Sequence, residues 1–202
     1  LAGQYHGSRF YRQRMPCVRD TVCALLIDRS GSLALAGHMQ HVIDCANAMA
    51  MAMHRARERY GAFAFWSDTR HHVAVDVLRD FGDEQLISVD PKKLAPHGYT
   101  RMGAALRHLI MRLRQEPAHQ RVLILIGDAI PCDDGYEGRY AVADVVKAIE
   151  EAEPYNVTVA IIAIGSPRED PLAEPLKHCF YRIPDVKELA QTIGKIHSRL
   201  VS

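Results

Sequence analysis

Short apolar runs alternate along this chain with longer stretches whose apolar residues recur at helical spacing. Val22-Cys23-Ala24-Leu25-Leu26-Ile27, Gly61-Ala62-Phe63-Ala64-Phe65-Trp66, Val122-Leu123-Ile124-Leu125-Ile126 and residues 158–164 are strand-length and bounded by turn residues, so they read as buried strands. Residues 36 to about 60 place Val42, Cys45, Ala46, Met49 and Met53 on one helical face. Residues 101–116 predict a helix stopped near Pro117, and residues 139–153 another stopped by Pro154. Residues 72–77 alternate and fold back on 61–66 through Ser67-Asp68-Thr69-Arg70, a hairpin that adds an antiparallel edge strand. Residues 86–94 form a weaker, helical patch, residues 178–183 a last short strand, and residues 186–200 a closing helix. This alternation predicts an α/β fold with a mostly parallel sheet, about six strands and about six helices. Residues 1–20 read as a linker or edge extension and 21–202 as one domain, without repeats or low-complexity tracts.

Candidate chemistry sits where the strands end. The first run stops at Asp28, and Ser30 and Ser32 follow at a spacing of two. The pattern D-x-S-x-S puts small oxygen ligands on one tight loop, which suits a hard divalent cation. The alternative is a plain strand-to-helix loop with Ser32 as the helix cap. Val122-Leu123-Ile124-Leu125-Ile126 ends at Gly127-Asp128, and Thr100 lies just before the 101–116 helix. Open α/β sheets bind ligands at the carboxyl ends of their strands. If these two runs are neighbouring parallel strands, Asp28 and Asp128 lie side by side and Thr100 reaches the same place.

The order D-x-S-x-S, then Thr about 70 residues on, then Asp after a further strand, resembles the metal-ion-dependent adhesion site of von Willebrand factor A domains. Gly98-Tyr99-Thr100-Arg101-Met102-Gly103-Ala104-Ala105 and Tyr136-Glu137-Gly138-Arg139-Tyr140 are similar, more narrowly, to A domains of the NorD/CbbO type. The resemblance implies a three-layer α/β/α, Rossmann-like fold with a mostly parallel six-stranded sheet and one antiparallel edge strand. It implies a ligand set of Asp28, Ser30, Ser32, Thr100 and Asp128 around Mg2+, with Mn2+ or Ca2+ as substitutes. It also implies a cytoplasmic adaptor that grips a partner's carboxylate through the metal and works with a MoxR-type AAA+ ATPase. The client would be Rubisco or a metalloenzyme such as nitric oxide reductase. Asp133, Asp134 and Glu137, just beyond Asp128 on the same edge, read as a solvated acidic loop, with partner binding beside the metal as the alternative; Arg101 and Arg139 are candidates equally for partner binding and for salt bridges that hold the loops. The chain departs from the usual pattern at Asp128-Ala129, where many A domains have Asp-Gly; alanine takes a positive φ less cheaply than glycine.

Composition narrows the function further. At 48% hydrophobic and 24% charged residues the chain is globular, and a net charge of +1 gives no electrostatic case for nucleic acid or anionic membrane. Arg9, Arg12 and Arg14 read as solvated linker rather than a nucleic-acid arm. No run of 18 apolar residues and no signal peptide is visible, so no membrane insertion is expected. The chain starts at Leu1, which suggests a piece of something longer. Its five cysteines lack C-x-x-C spacing and fit a reducing compartment. His38 with His41, and His71 with His72, read as surface or cap histidines, and Met49, Met51 and Met53 as packing. No P-loop and no G-x-S-x-G elbow are present. A phosphatase using Asp28 as nucleophile would need a general acid where Ser30 stands. A non-catalytic binding domain is therefore the expectation, with a metal-independent interaction domain as the alternative and a Mg2+-dependent phosphatase behind it.

Overall fold

A computed structural model describes residues 20–91, 94–165 and 170–183, together with Ile196 and Arg199. The elements run β1 (Thr21–Asp28), α1 (Gly31–Leu35), α2 (Met39–Arg55), β2 (Arg59–Thr69), β3 (His72–Arg79), α3 (Met102–Gln115), β4 (Gln120–Gly127), α4 (Gly138–Glu150), β5 (Val157–Ile164) and β6 (Phe180–Ile183). The six strands form one sheet in the order β3-β2-β1-β4-β5-β6. Every pairing is parallel except β2 with β3. The expected architecture is therefore present, with the antiparallel strand at an edge.

The continuous apolar runs are explained by burial of both sheet faces. Along β1 the side chains alternate. Cys23, Leu25 and Ile27 pack with Leu33 of α1 and with Val42, Cys45, Ala46 and Met49 of α2. Val22, Ala24 and Leu26 face the other way, onto Leu106 and Leu109 of α3 and Val145 and Ala148 of α4. Each fully buried Leu or Ile contributes about 1.5–3 kcal/mol, so the central strands are fixed from both sides and their ends are rigid supports.

Connections from β1 lead to β2 on one side of the sheet, whereas β4 lies on the other. The gap beyond the ends of β1 and β4 is thus the topological switch point, where open α/β sheets form their binding crevice. Ile27 pairs with Ile126 across these strands, which brings Asp28 and Asp128 to one edge.

Several boundaries differ from the sequence expectation. The helix expected over 36–60 is shorter, Met39–Arg55, and a separate five-residue helix, α1, precedes it, because Gly37 takes a φ of 70° just after α1. The Gly37 N–H bonds Ala34 O at 3.1 Å and the His38 N–H bonds Leu33 O at 2.9 Å, a glycine-based stop that redirects the chain into α2. The hairpin is tighter than expected, since β2 continues through Thr69. The patch at 86–94 forms no helix in its described residues; the Val89 N–H instead bonds the Asn47 side-chain oxygen at 2.7 Å. The linker at 1–19 and most of the closing helix at 186–200 lie outside the described residues. No helix among the described residues is long and apolar enough to cross a membrane.

Candidate metal centre

Asp28 ends β1 fully buried. Its Oδ1 accepts the Ser30 N–H at 2.8 Å, which turns the chain sharply out of the strand. Ser30 occupies the N-cap of α1 but makes no side-chain cap bond, so its hydroxyl stays on the site side. Ser32 is inside α1 and Ser30 is at its N-cap, which corrects the expectation of Ser32 as the helix cap. Its hydroxyl donates to Asp128 Oδ2 at 2.6 Å, across 96 residues of sequence. With its one proton given to Asp128, Ser32 accepts from Ser30, 3.0 Å away. Asp128 Oδ1 takes the Ile130 N–H at 3.0 Å. Two carboxylates and two hydroxyls are thereby tied into one cluster.

Thr100 joins from a third loop. Its backbone forms a two-bond bridge with Cys132, at 2.7 and 3.1 Å, just beyond Asp128. The segment preceding it lies along the Asp28–Ser32 loop, with the Gly31 N–H on Gly98 O at 3.0 Å and the His97 N–H on Arg29 O at 2.7 Å. Gly98 has a φ of 64°, and a Cβ there would collide with the Ser67 carbonyl. Ser67, at the end of β2, exchanges backbone bonds with Tyr99 and accepts the Arg101 N–H on its hydroxyl at 3.0 Å. Buried Ser67 is thus a positioning residue for Thr100 that sequence patterning placed in a hairpin loop.

Two features bear directly on the carboxylates. A Cβ at Gly127 would stand 2.6 Å from Asp28 Cβ and 2.9 Å from its Oδ2, so only glycine lets β4 pass this close. Ala129 adopts a φ of 60°, the left-handed conformation that glycine would supply more cheaply. The Ala129 methyl is buried against the α3/α4 side of the core.

Asp28 Oδ2 is buried and has no hydrogen-bond partner among the described residues. Burial pushes the Asp28 pKa up from 3.8 to about 8, and the Asp128 charge adds to the rise, while hydrogen bonding from Ser30 opposes it. An unpartnered, desolvated carboxylate oxygen beside a second carboxylate is costly. A cation among these oxygens would remove that cost. Among the described residues no group of three or more His, Cys, Asp or Glu is placed to hold a metal, so a centre here depends on hydroxyl ligands. The donor set fits a hard cation that takes neutral oxygens and keeps several waters.

Of the other residues singled out from the sequence, Arg101 is buried and bonds Asp133 Oδ2 at 3.1 Å and Asp134 O at 2.9 Å. It also lies over the Tyr136 ring, 4.6 Å from the centroid. Asp133 is buried by this pair, whereas Asp134, Glu137 and Arg139 are exposed on the same edge. The Tyr136 hydroxyl donates to Asp144 Oδ2 at 2.6 Å and accepts the Gly103 N–H at 3.1 Å. Arg107 completes the set, bonding Asp144 at 2.8 Å and Glu151 at 2.6 Å. A Cβ at Gly103 would run into the Asp144 carboxylate. The two stretches that look NorD/CbbO-like are therefore in contact, locking α3 to α4 beneath the Thr100 and Asp128 loops. Arg182 of β6 also feels the Asp128 charge, although burial pulls its pKa down overall; it pairs with Asp170 and donates to Gly165 O at 2.7 Å.

The profile of the von Willebrand factor type A domain matches residues 23–195. The chain belongs to that family. Protein NorD of Brucella suis biovar 1 (strain 1330) is 31% identical over 170 residues, covering 81% of this chain and 27% of NorD. The chain thus spans about a quarter of that relative. Among solved structures, manganese-loaded Plasmodium vivax TRAP protein superposes with a TM-score of 0.62 at 22% identity, over 89% of this chain and 74% of TRAP. Proximal thread matrix protein 1 of the mussel byssus, with a zinc occupied MIDAS motif, gives a TM-score of 0.63 at 18% identity, over 88% of this chain and 47% of that one. These likenesses establish the A-domain fold. Membership of this family, in NorD-like company, assigns the chain a protein-interaction role.

Proposed function

We propose that this A domain is a non-catalytic adaptor that holds a partner protein's carboxylate through a divalent cation bound by Asp28, Ser30, Ser32, Thr100 and Asp128. The carrying observation is the orphaned, buried Asp28 Oδ2 within a cluster whose remaining donors are hydroxyls and one further carboxylate. Neutral hydroxyls leave a bound cation electrophilic, so that an incoming Asp or Glu completes its shell favourably; a cage of direct carboxylates would satisfy it beforehand. The metals named for the TRAP and byssus neighbours support a MIDAS-type site, and Mg2+ is the reading for this chain on ligand chemistry.

The adaptor would couple its client to a MoxR-type AAA+ ATPase, as the NorD/CbbO resemblance implies. The ATPase would supply the remodelling force, and the client would be Rubisco or a nitric-oxide-reductase-like metalloenzyme. The test is capture of the ATPase and candidate clients by this domain in Mg2+ and in EDTA, with Ser30→Ala alongside. Capture that needs both Mg2+ and Ser30 supports the reading. Capture indifferent to both would make the five oxygens structural and favour a metal-independent interaction domain.

A further inference from the structure

One arginine stands beside the centre without belonging to its ligand set. Arg182 of β6 is in register with Ala163 of β5, and Ala163 with Gly127 of β4, the residue before Asp128. Neighbours in parallel register project to the same face of a sheet, here the face on which Ala163 and Phe180 pack with α3 and α4. Two strand spacings, about 10 Å in all, separate the backbone of Arg182 from that of Gly127. Gly127 has no side chain and Ala163 contributes one methyl, so this row puts little bulk between the guanidinium and the end of β4.

Arg182 is held firmly at this place. It donates to Gly165 O at 2.7 Å and pairs with the Asp170 carboxylate. Its guanidinium lies 5.5 Å from the centroid of the Phe180 ring. Its side chain is only 20% exposed, so water screens its charge incompletely. Burial lowers its pKa, and the Asp128 charge opposes that fall. The interaction is mutual, so Asp128 sits in the field of a positive charge that a guanidinium never loses. The other arginines of this edge are placed differently. Arg29 is paired with Asp76 and Arg101 with Asp133, while Arg139 is exposed to water.

We propose that Arg182 is the resident counter-charge of the centre. It balances Asp128 when no cation is bound, opposes a cation that enters, and so sets the affinity of the site without touching the metal. The Asp170 carboxylate offsets part of that opposition. Arg182 and Asp170 therefore act on a bound cation with opposite signs, whereas a pair that merely held β6 in place would act with one sign. The inference rests on the metal-bridged reading above and adds to it the residues that tune the site.

Calorimetry of Mg2+ binding at low ionic strength tests it, on the wild-type chain and on Arg182→Gln, Arg182→Lys, Asp170→Asn and Ser30→Ala. Amide spectra in EDTA check that each variant folds. Removing a unit charge roughly 10 Å from a doubly charged cation corresponds to about fourfold in affinity even at the dielectric constant of water. Arg182→Gln keeps a donor for Gly165 O and is expected to tighten Mg2+ binding by at least about fourfold. Arg182→Lys keeps the charge without the planar fork and is expected to stay within about twofold of the wild type. Asp170→Asn leaves the guanidinium without its carboxylate and is expected to weaken binding. Binding unchanged or weakened in Arg182→Gln, or tightened equally in Arg182→Lys, overturns the counter-charge and leaves the metal-bridged reading standing. Should Arg182→Gln not fold, Asp170→Asn decides, and binding that it fails to weaken overturns the counter-charge. Absence of Mg2+ binding to the wild type, or binding that Ser30→Ala leaves unchanged, overturns both.

Discussion

Replacing Asp28 with Asn should stabilise the metal-free domain at neutral pH while removing its response to Mg2+. The Asp28 pKa, raised from 3.8 to about 8, sets the sign. Below about pH 4 both folded and unfolded forms are protonated and no penalty exists. Between about pH 4 and 8 the unfolded chain has lost this proton and the folded one keeps it, so stability falls as pH rises, by about 1.4 kcal/mol per unit. At pH 7 about three units of that window have been crossed, which amounts to about 4 kcal/mol as an upper bound. Asn keeps an oxygen for the Ser30 N–H and carries no charge, so the variant should avoid most of this cost. The assay is urea denaturation in EDTA from pH 5 to 8, comparing the difference between wild type and Asp28→Asn so that carboxylates not coupled to Asp28 cancel. The difference should widen with pH in favour of the variant. Adding Mg2+ at about a hundred times its dissociation constant should then restore about 2.7 kcal/mol to the wild type and nothing to the variant. A variant less stable than wild type at pH 7 in EDTA, with a pH-independent difference, would refute the reasoning.

Other substitutions probe the supports of the site. Gly127→Ala should cost about 1–3 kcal/mol by overpacking against Asp28, and should weaken Mg2+ binding measured by calorimetry. Unchanged affinity would show that Asp28 need not sit where it does. Arg101→Ala should destabilise by about 3–5 kcal/mol in chemical denaturation, because it leaves Asp133 buried without its partner. A loss below about 1 kcal/mol would mean that the pair does not hold the loop. Ala129→Gly should change stability by less than about 1 kcal/mol, since relief of the left-handed backbone is offset by the lost buried methyl and by glycine's entropy. A loss above about 2 kcal/mol would show that the methyl contact, not the backbone, decides this position.

The fold was legible wherever one local pattern carried the information. Residues 22–27 and 122–126 read as buried strands because both sheet faces are covered, and their ends at Asp28 and Asp128 followed from parallel pairing. What stayed hidden depended on contacts made across the sequence. Nothing around Gly127 announces that its missing Cβ makes room for Asp28, ninety-nine residues earlier. Ser67 looked like a hairpin residue until its bonds to Tyr99 and Arg101 gave it the Thr100 loop to hold. Gly103 and Tyr136 lie inside the two stretches picked out by resemblance, yet their mutual hydrogen bond and shared contact with Asp144 required α3 and α4 to be docked. Gly37 was a visible breaker, overridden in the reading by the helical spacing that follows it. The patch at 86–94 had apolar residues enough for a helix but spends a backbone donor on Asn47 of α2.

The central claim is that the loops after β1 and β4, with Thr100, hold a divalent cation that is open to a partner's carboxylate. Crystals of the domain grown with Mn2+ and measured near the manganese absorption edge test it most directly. The account predicts one strong anomalous peak at the end of β1, within ligand distance of Ser30 and Ser32 Oγ, that disappears in Ser30→Ala. A peak elsewhere on the molecule, or none at a manganese concentration that saturates solution binding, would contradict it.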